Sequence, residues 1–253
     1  MIKFFRIIRQ KLLQDLPTGQ VGNKVTQYLT YAIGEILLVV IGILIALSIN
    51  NWNEAHKARQ SEQVVLKNLI QDLRADSLAF NDNLDILSKI NNLHQTLYEI
   101  GVKGMDLEIE DPNLIRRLIY YNPIAIKNDP FVADKISNES IRKEINTYSR
   151  YLKDLDITYL EYAELLEKRV RVFLANNKVH QLSNWFENKD SRIKEGTPFE
   201  FVDKAGLILL SKSPEFQQLL LEVSIKTKNT ASNIETVLTQ NQKLKDLIPK
   251  ELK

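Results

Sequence analysis

Cysteine is absent from this chain of 253 residues, which excludes disulfide frameworks, thiol nucleophiles and thiolate metal sites together. The absence suits an oxidising compartment but is too common among bacterial proteins to identify one. Histidine is almost absent. His56, His94 and His180 stand apart, and none belongs to a Glu-x-x-His or His-Glu-x-x-His pattern of the kind diiron bundles and zinc sites use. There is no glycine-rich phosphate loop, and the many Asp and Glu residues are spaced as on solvated helix faces. These absences point away from an enzyme and leave no cofactor or metal to assign. Proline and glycine are also scarce, at 7 and 8 residues, and neither occurs between Gly42 and Gly101.

Apolar sequence is plentiful, and one run dominates. Leu29 to Ile49, LTYAIGEILLVVIGILIALSI, contains one formally charged side chain, Glu35. As a helix this run measures about 31 Å, which matches the hydrocarbon thickness of a bilayer. Ile36 to Leu47 is apolar around the whole circumference, unlike the helix of a soluble core, which is the competing reading. Tyr28 and Tyr31 at one end and Trp52 at the other place amphipathic rings at headgroup level, and Asn50, Asn51 and Asn53 mark the polar exit. The expected organisation is a basic arm over residues 1–27, a transmembrane helix over 28–52 and an exported helical domain over 53–253.

Charge gives the orientation. Residues 1–27 carry Lys3, Arg6, Arg9, Lys11 and Lys24 against Asp15, while the rest of the chain is slightly acidic within a net charge of +2. This bias predicts a cytoplasmic N-terminus, a bacterial inner-membrane span and a periplasmic C-terminal domain, although Lys57 and Arg59 weaken the contrast. The positive excess lies in a short arm with no recognition motif beside it, so nucleic acid is not an expected partner. In the arm, Phe4, Phe5, Ile8, Leu12 and Leu16 share one helical side opposite Lys3, Arg6, Gln10 and Gln14. That pattern suits an anionic leaflet and equally a plain topogenic tail. The alternative for the whole segment is a cleaved secretion signal, with Ala46 and Ser48 as the small residues; the length of the apolar run and of the basic arm favour a retained anchor.

Beyond the span the periodicity is helical. Leu66, Leu69, Leu73, Phe80, Leu84, Leu87 and Ile90 recur mostly every three or four residues, and the absence of breakers allows one helix to continue from the span to Gly101, with a bend permitted at Asn50 to Asn53. Ile141, Ile145, Tyr148, Leu152, Leu155, Tyr159, Tyr162, Leu166, Val170 and Phe173 form a second stripe, suited to lengthwise, coiled-coil-like packing. Between them, Asp111-Pro112 predicts a cap and a short helix near Asn113 to Tyr121, followed by an irregular loop around Pro123 and Pro130. Thr197-Pro198-Phe199-Glu200 and Ser213-Pro214 mark two further helix starts. In the terminal helix Thr227 and Thr230 interrupt the stripe, which predicts a poorly buried middle and fraying beyond Pro249. The expected fold is all-α: the membrane helix followed by an elongated bundle of about four major helices.

The run Tyr31-Ala32-Ile33-Gly34-Glu35-Ile36, LLVVIGILIAL and Asn50-Asn51-Trp52-Asn53-Glu54 resembles a large group of bacterial single-span membrane proteins of unknown function. The opening KFFRIIRQKLL and the helix after the span share the resemblance, which is specific over about residues 1–75 and looser beyond. Ser48 departs from it, since glutamine is usual there. The resemblance implies an inner-membrane anchor with an exported helical region and carries no activity.

Three function classes follow. An interaction or scaffold protein, alone or as a subunit of a larger membrane assembly, fits long helices that offer lateral surfaces. A non-enzymatic sensor would recruit an effector through residues 1–27. An enzyme would need acids from distant helices converging in a pocket. The expected partners are the lipid bilayer, a membrane or periplasmic protein, and a second copy of the chain. Glu35, about 9 Å inside the cytoplasmic end, is costly there unless it snorkels, protonates or meets a partner. Gly42 and Ala46 lie on roughly the same face and form a small-residue surface for close helix approach.

Overall fold

The computed structural model describes residues 24–186 and 201–252. The basic arm, with Lys3, Arg6, Arg9 and Lys11, and the expected start at Thr197 to Glu200 lie outside them, as does the Tyr28 side chain. The chain divides into two units, Met1–Gln60 and Ser61–Lys253. The described residues are overwhelmingly helical and contain no strand beyond an isolated antiparallel bridge, His180 with Val202. Helix α1 runs Lys24–Gly101, unbroken at Asn50 to Asn53. A 3-10 turn (Pro112–Arg116), α2 (Ile124–Lys127) and a second 3-10 turn (Val132–Lys135) follow. Then come α3 (Glu139–Leu165), a π-turn (Leu166–Val170), α4 (Arg171–Asn176), α5 (Leu182–Phe186), α6 (Lys204–Ser211) and α7 (Pro214–Glu251).

The second unit is built on three long helices. Asp76 meets Tyr148 and Asn83 meets Tyr159, so α3 ascends alongside α1. Leu73 meets Asn241, Asn91 meets Thr227 and Leu97 meets Gln217, so α7 runs antiparallel to α1. Lys226 pairs with Glu161 and Gln240 with Glu144, which sets α7 antiparallel to α3 as well. Two parallel helices need a connection that returns along their length, and residues 102–138 provide it. Apolar stripes close the core: Leu66, Leu73, Phe80, Leu87, Ile90 and Leu97 of α1 are fully buried, with Tyr148, Tyr162 and Leu166 opposite and Ile234, Val237 and Leu244 from α7. Each such leucine, isoleucine or phenylalanine contributes about 1.5–3 kcal/mol.

The helix boundaries follow local chemistry. Gly101 ends α1 beside the end of α6 and the start of α7: a Cβ there would collide with the Ser211 carbonyl and lie 2.5 Å from Gln217 Nε2. Gly104, at φ +67°, turns the chain back. Asp111 caps the first 3-10 turn through the Asn113 N–H at 2.9 Å, with Pro112 at the first position. Ser213 caps α7 through Phe216 N–H at 3.1 Å, with Pro214 following.

Several expectations need correction. Among the described residues the bundle has three long helices rather than about four, because the helices described between the π-turn and α7 are all short. The helix near Asn113 stops at Arg116, since tertiary donors take the carbonyls it would need: Tyr162 Oη donates to Arg117 O at 2.6 Å and Arg171 Nη2 to Arg116 O at 3.3 Å. The middle of α7 is buried, with Thr227 and Thr230 fully inaccessible. Their hydroxyls are satisfied, Thr227 by Asn91 Oδ1 at 2.6 Å and Thr230 by the Lys226 carbonyl at 2.9 Å, so a polar residue fits the stripe. Finally, α7 continues through Pro249 to Glu251 instead of fraying there.

Candidate functional site

The apolar stretch of α1 and the bundle present opposite kinds of surface. In α1, Glu35 to Ile49 is exposed at every position except the half-buried Leu38. It is the helix among the described residues that is long and apolar enough to cross a membrane. Glu35, Gly42 and Ala46 fall at spacings of seven and four, on one helical face, and all three are exposed. A Cβ added at Gly34 or Gly42 would meet nothing within 4 Å. Apolar area of this kind has no stable place in water, so the stretch calls for lipid or another apolar helix. Tyr31 is partly exposed, and Trp52, 70 % exposed, stacks on His56 at 5.8 Å between ring centres.

Inside the bundle the chain has a polar seam that sequence reasoning missed. Asp76 is fully buried and accepts four hydrogen bonds. Tyr121 Oη at 2.7 Å and the Ile124 N–H at 2.8 Å reach Oδ1, and the Ala125 N–H at 3.2 Å and Tyr148 Oη at 3.1 Å reach Oδ2. This carboxylate therefore fastens the returning loop and α3 to α1. Burial, followed by the Asp76 charge, pushes the Tyr148 phenol well above its ordinary value; Tyr121 is raised by burial and by its hydrogen bond to Asp76. Asn241 extends the seam, donating to the Leu73 carbonyl at 2.9 Å and to Tyr148 Oη at 3.4 Å. Glu62, also buried, accepts the Ser137 N–H at 2.7 Å. The reading of all acids as solvated helix faces is thus corrected for Glu62 and Asp76. The signal lay in the spacing, since Asp76 falls three residues after Leu73 and four before Phe80, and Glu62 four before Leu66.

His94 also lies in the core, with neither ring nitrogen hydrogen-bonded. Burial first, and the charge of Lys228 second, pull its pKa down to about 4. His56 pairs along its own helix with Gln60 at 3.0 Å, and no group of three or more His, Asp or Glu residues among those described is arranged to hold a metal.

An open groove of about 530 Å³ runs between α1 and residues 108–117, over Leu93, Ile109 and Leu114. Glu108, Glu110 and Asp111 line it together with Lys89 and Arg117. These acids come from one connecting segment, not from facing helices, and Asp111 is engaged in its cap. The groove accordingly lacks the convergence of acids from separate helices that acid–base chemistry in a bundle core would need.

Residues 35–120 match the model of a family of unknown function (DUF6090). The similarity runs from Glu35 in the apolar stretch of α1, through the rest of that helix and the first 3-10 turn, to Tyr120. No curated protein and no solved structure matches the chain.

Proposed function

We propose that this chain is a membrane-anchored interaction or scaffold protein, with its helical bundle held on the periplasmic side of a bacterial inner membrane and no catalytic role of its own. The observation that carries the reading is the span: an all-round apolar helix surface, unburied within the chain, bearing one carboxylate and a small-residue face. Lipid satisfies most of that surface. Glu35 needs more, and a polar group or a second Glu35 across a close helix contact at Gly42 and Ala46 supplies it. The basic residues before the span support a cytoplasmic arm, and the tightly knit bundle supports a rigid surface for a protein partner.

Protease treatment of spheroplasts tests the placement, with the C-terminal unit digested from outside only if it is periplasmic. Mass determination in mild detergent tests the association. Wild type is expected as an oligomer, a dimer in the simplest case, that Gly42→Leu weakens. Glu35→Ala is expected to insert normally and to recover fewer partners from membranes. A wild-type monomer that also fails to crosslink in native membranes would reject association through the span.

A further inference from the structure

Away from the Asp76 seam, three backbone segments meet around a cluster of cations. Arg116 closes the first 3-10 turn, Arg171 opens α4 directly after the π-turn, and His180 forms the isolated bridge with Val202. Asn113 Oδ1 clamps these segments together, accepting the N–H groups of Phe201 at 2.8 Å and Val202 at 3.2 Å. Gln181 N–H adds a bond to the Phe201 carbonyl at 2.9 Å, and Arg171 Nη2 reaches the Arg116 carbonyl. The Arg116 guanidinium lies over the Phe201 ring, 5.2 Å from its centre. The π-turn matters here, because it inserts an extra residue into the helix just where Arg171 must emerge, a device frequent at functional sites.

Among the described residues this framework gathers positive charge and unpaired nitrogens without a carboxylate to match. Among the described residues, Arg116 has no carboxylate partner, and Arg171 has only the exposed Glu167 on its own helix, at 3.6 Å. Arg171 Nε and His180 Nε2 are buried and hydrogen-bonded to nothing. The three groups also sense one another: burial and then the Arg171 charge lower the Arg116 pKa, and burial and then the Arg116 charge lower that of His180. Gathering like charges and unpaired donors in half-buried surroundings costs free energy that an anion would recover.

We propose that Arg116, Arg171 and His180 form a binding site for a phosphate-class oxyanion. Two guanidiniums match a dianion in charge. A tetrahedral group presents its oxygens in three dimensions, toward nitrogens that come from three separate segments, and a phosphate dianion balances both guanidiniums, whereas a carboxylate is planar and brings a single negative charge. Phe201 and Asn113 hold the cluster in place, and Arg116, Arg171 and His180 are each half-buried.

Full-length protein in mild detergent is titrated with inorganic phosphate and, in parallel, with phenyl phosphate. Calorimetry and the imidazole proton signals report binding, the His180 signal being identified by its loss in His180→Gln. Saturable binding that shifts the His180 signal is expected. Arg116→Gln and Arg171→Gln should each weaken it by about tenfold or more, while Arg117→Gln, at the exposed neighbouring cation, leaves it unchanged. Tighter binding of the ester assigns an esterified ligand, and equal binding assigns the free anion. Arg171→Lys retains the charge and loses the fork, so weakened binding in a folded Arg171→Lys protein supports the site even where the glutamine variants unfold. A shift that never saturates, or an Arg117→Gln loss equal to that of Arg116→Gln, would overturn the proposal in favour of diffuse surface charge.

Discussion

Helix α1 carries two surfaces made by different rules. Over residues 36–47 it is apolar on every side and touches little of its own chain; over residues 61–101 it is apolar on one stripe, and that stripe is buried. Uniform apolarity answers to a surrounding medium, periodic apolarity to a neighbouring helix. The glycines repeat the contrast. Gly42 stands in open space, whereas Gly101 is a contact point through which the Ser211 backbone approaches α1.

Substitutions at four positions sharpen this comparison. The largest effect is expected at Gly101. Gly101→Val drives two methyl groups into backbone that cannot yield, and a loss of more than about 4 kcal/mol is expected in urea unfolding of the bundle, measured by circular dichroism. Next is Asp76→Ala, which strands two tyrosine hydroxyls and two N–H groups in the core. A loss of about 3 kcal/mol is expected, with hydrogen exchange accelerated first at Ile124 and Ala125. Asp76→Asn should recover little, because its amide nitrogen would face donors.

His94 gives a pH dependence. Its folded value of about 4 lies below the ordinary 6.5, so protons bind the unfolded chain more readily. Stability is therefore complete above about pH 6.5 and falls as pH drops toward about 4, by roughly 2–3 kcal/mol. His94→Leu should flatten that stretch of the stability profile; an unchanged slope would show that other groups set it. The smallest effect is expected at Gly42→Ala, where an added methyl meets nothing within the chain. Bundle stability should be unchanged, and only the oligomer mass measurement can respond.

Much of the fold was legible because its signals are local or periodic. The apolar stretch of α1 announces itself by length and composition, α3 by a stripe from Ile141 to Tyr162, and the starts at Pro112 and Pro214 by a side-chain acceptor placed before proline. The polar seam was obscured because Asp76, Thr227 and Asn241 are ordinary surface residues by type: spacing puts Asp76 and Thr227 on buried stripes, but the partners that let them stay there lie far along the chain. The short helix after Asp111 was overestimated for the same reason. Its carbonyls are claimed by Tyr162 and Arg171, some 45 and 55 positions away.

The sequence alone determined that this chain is all-α and that it has one stretch suited to lipid, because periodicity and hydrocarbon thickness act through neighbouring residues. Only the tertiary structure decided that α1 and α3 run parallel with α7 against both, that a buried carboxylate fastens the return loop, and that Arg116, Arg171 and His180 meet. Those outcomes depend on which groups from distant segments can satisfy one another once water is excluded, and no local pattern encodes that choice.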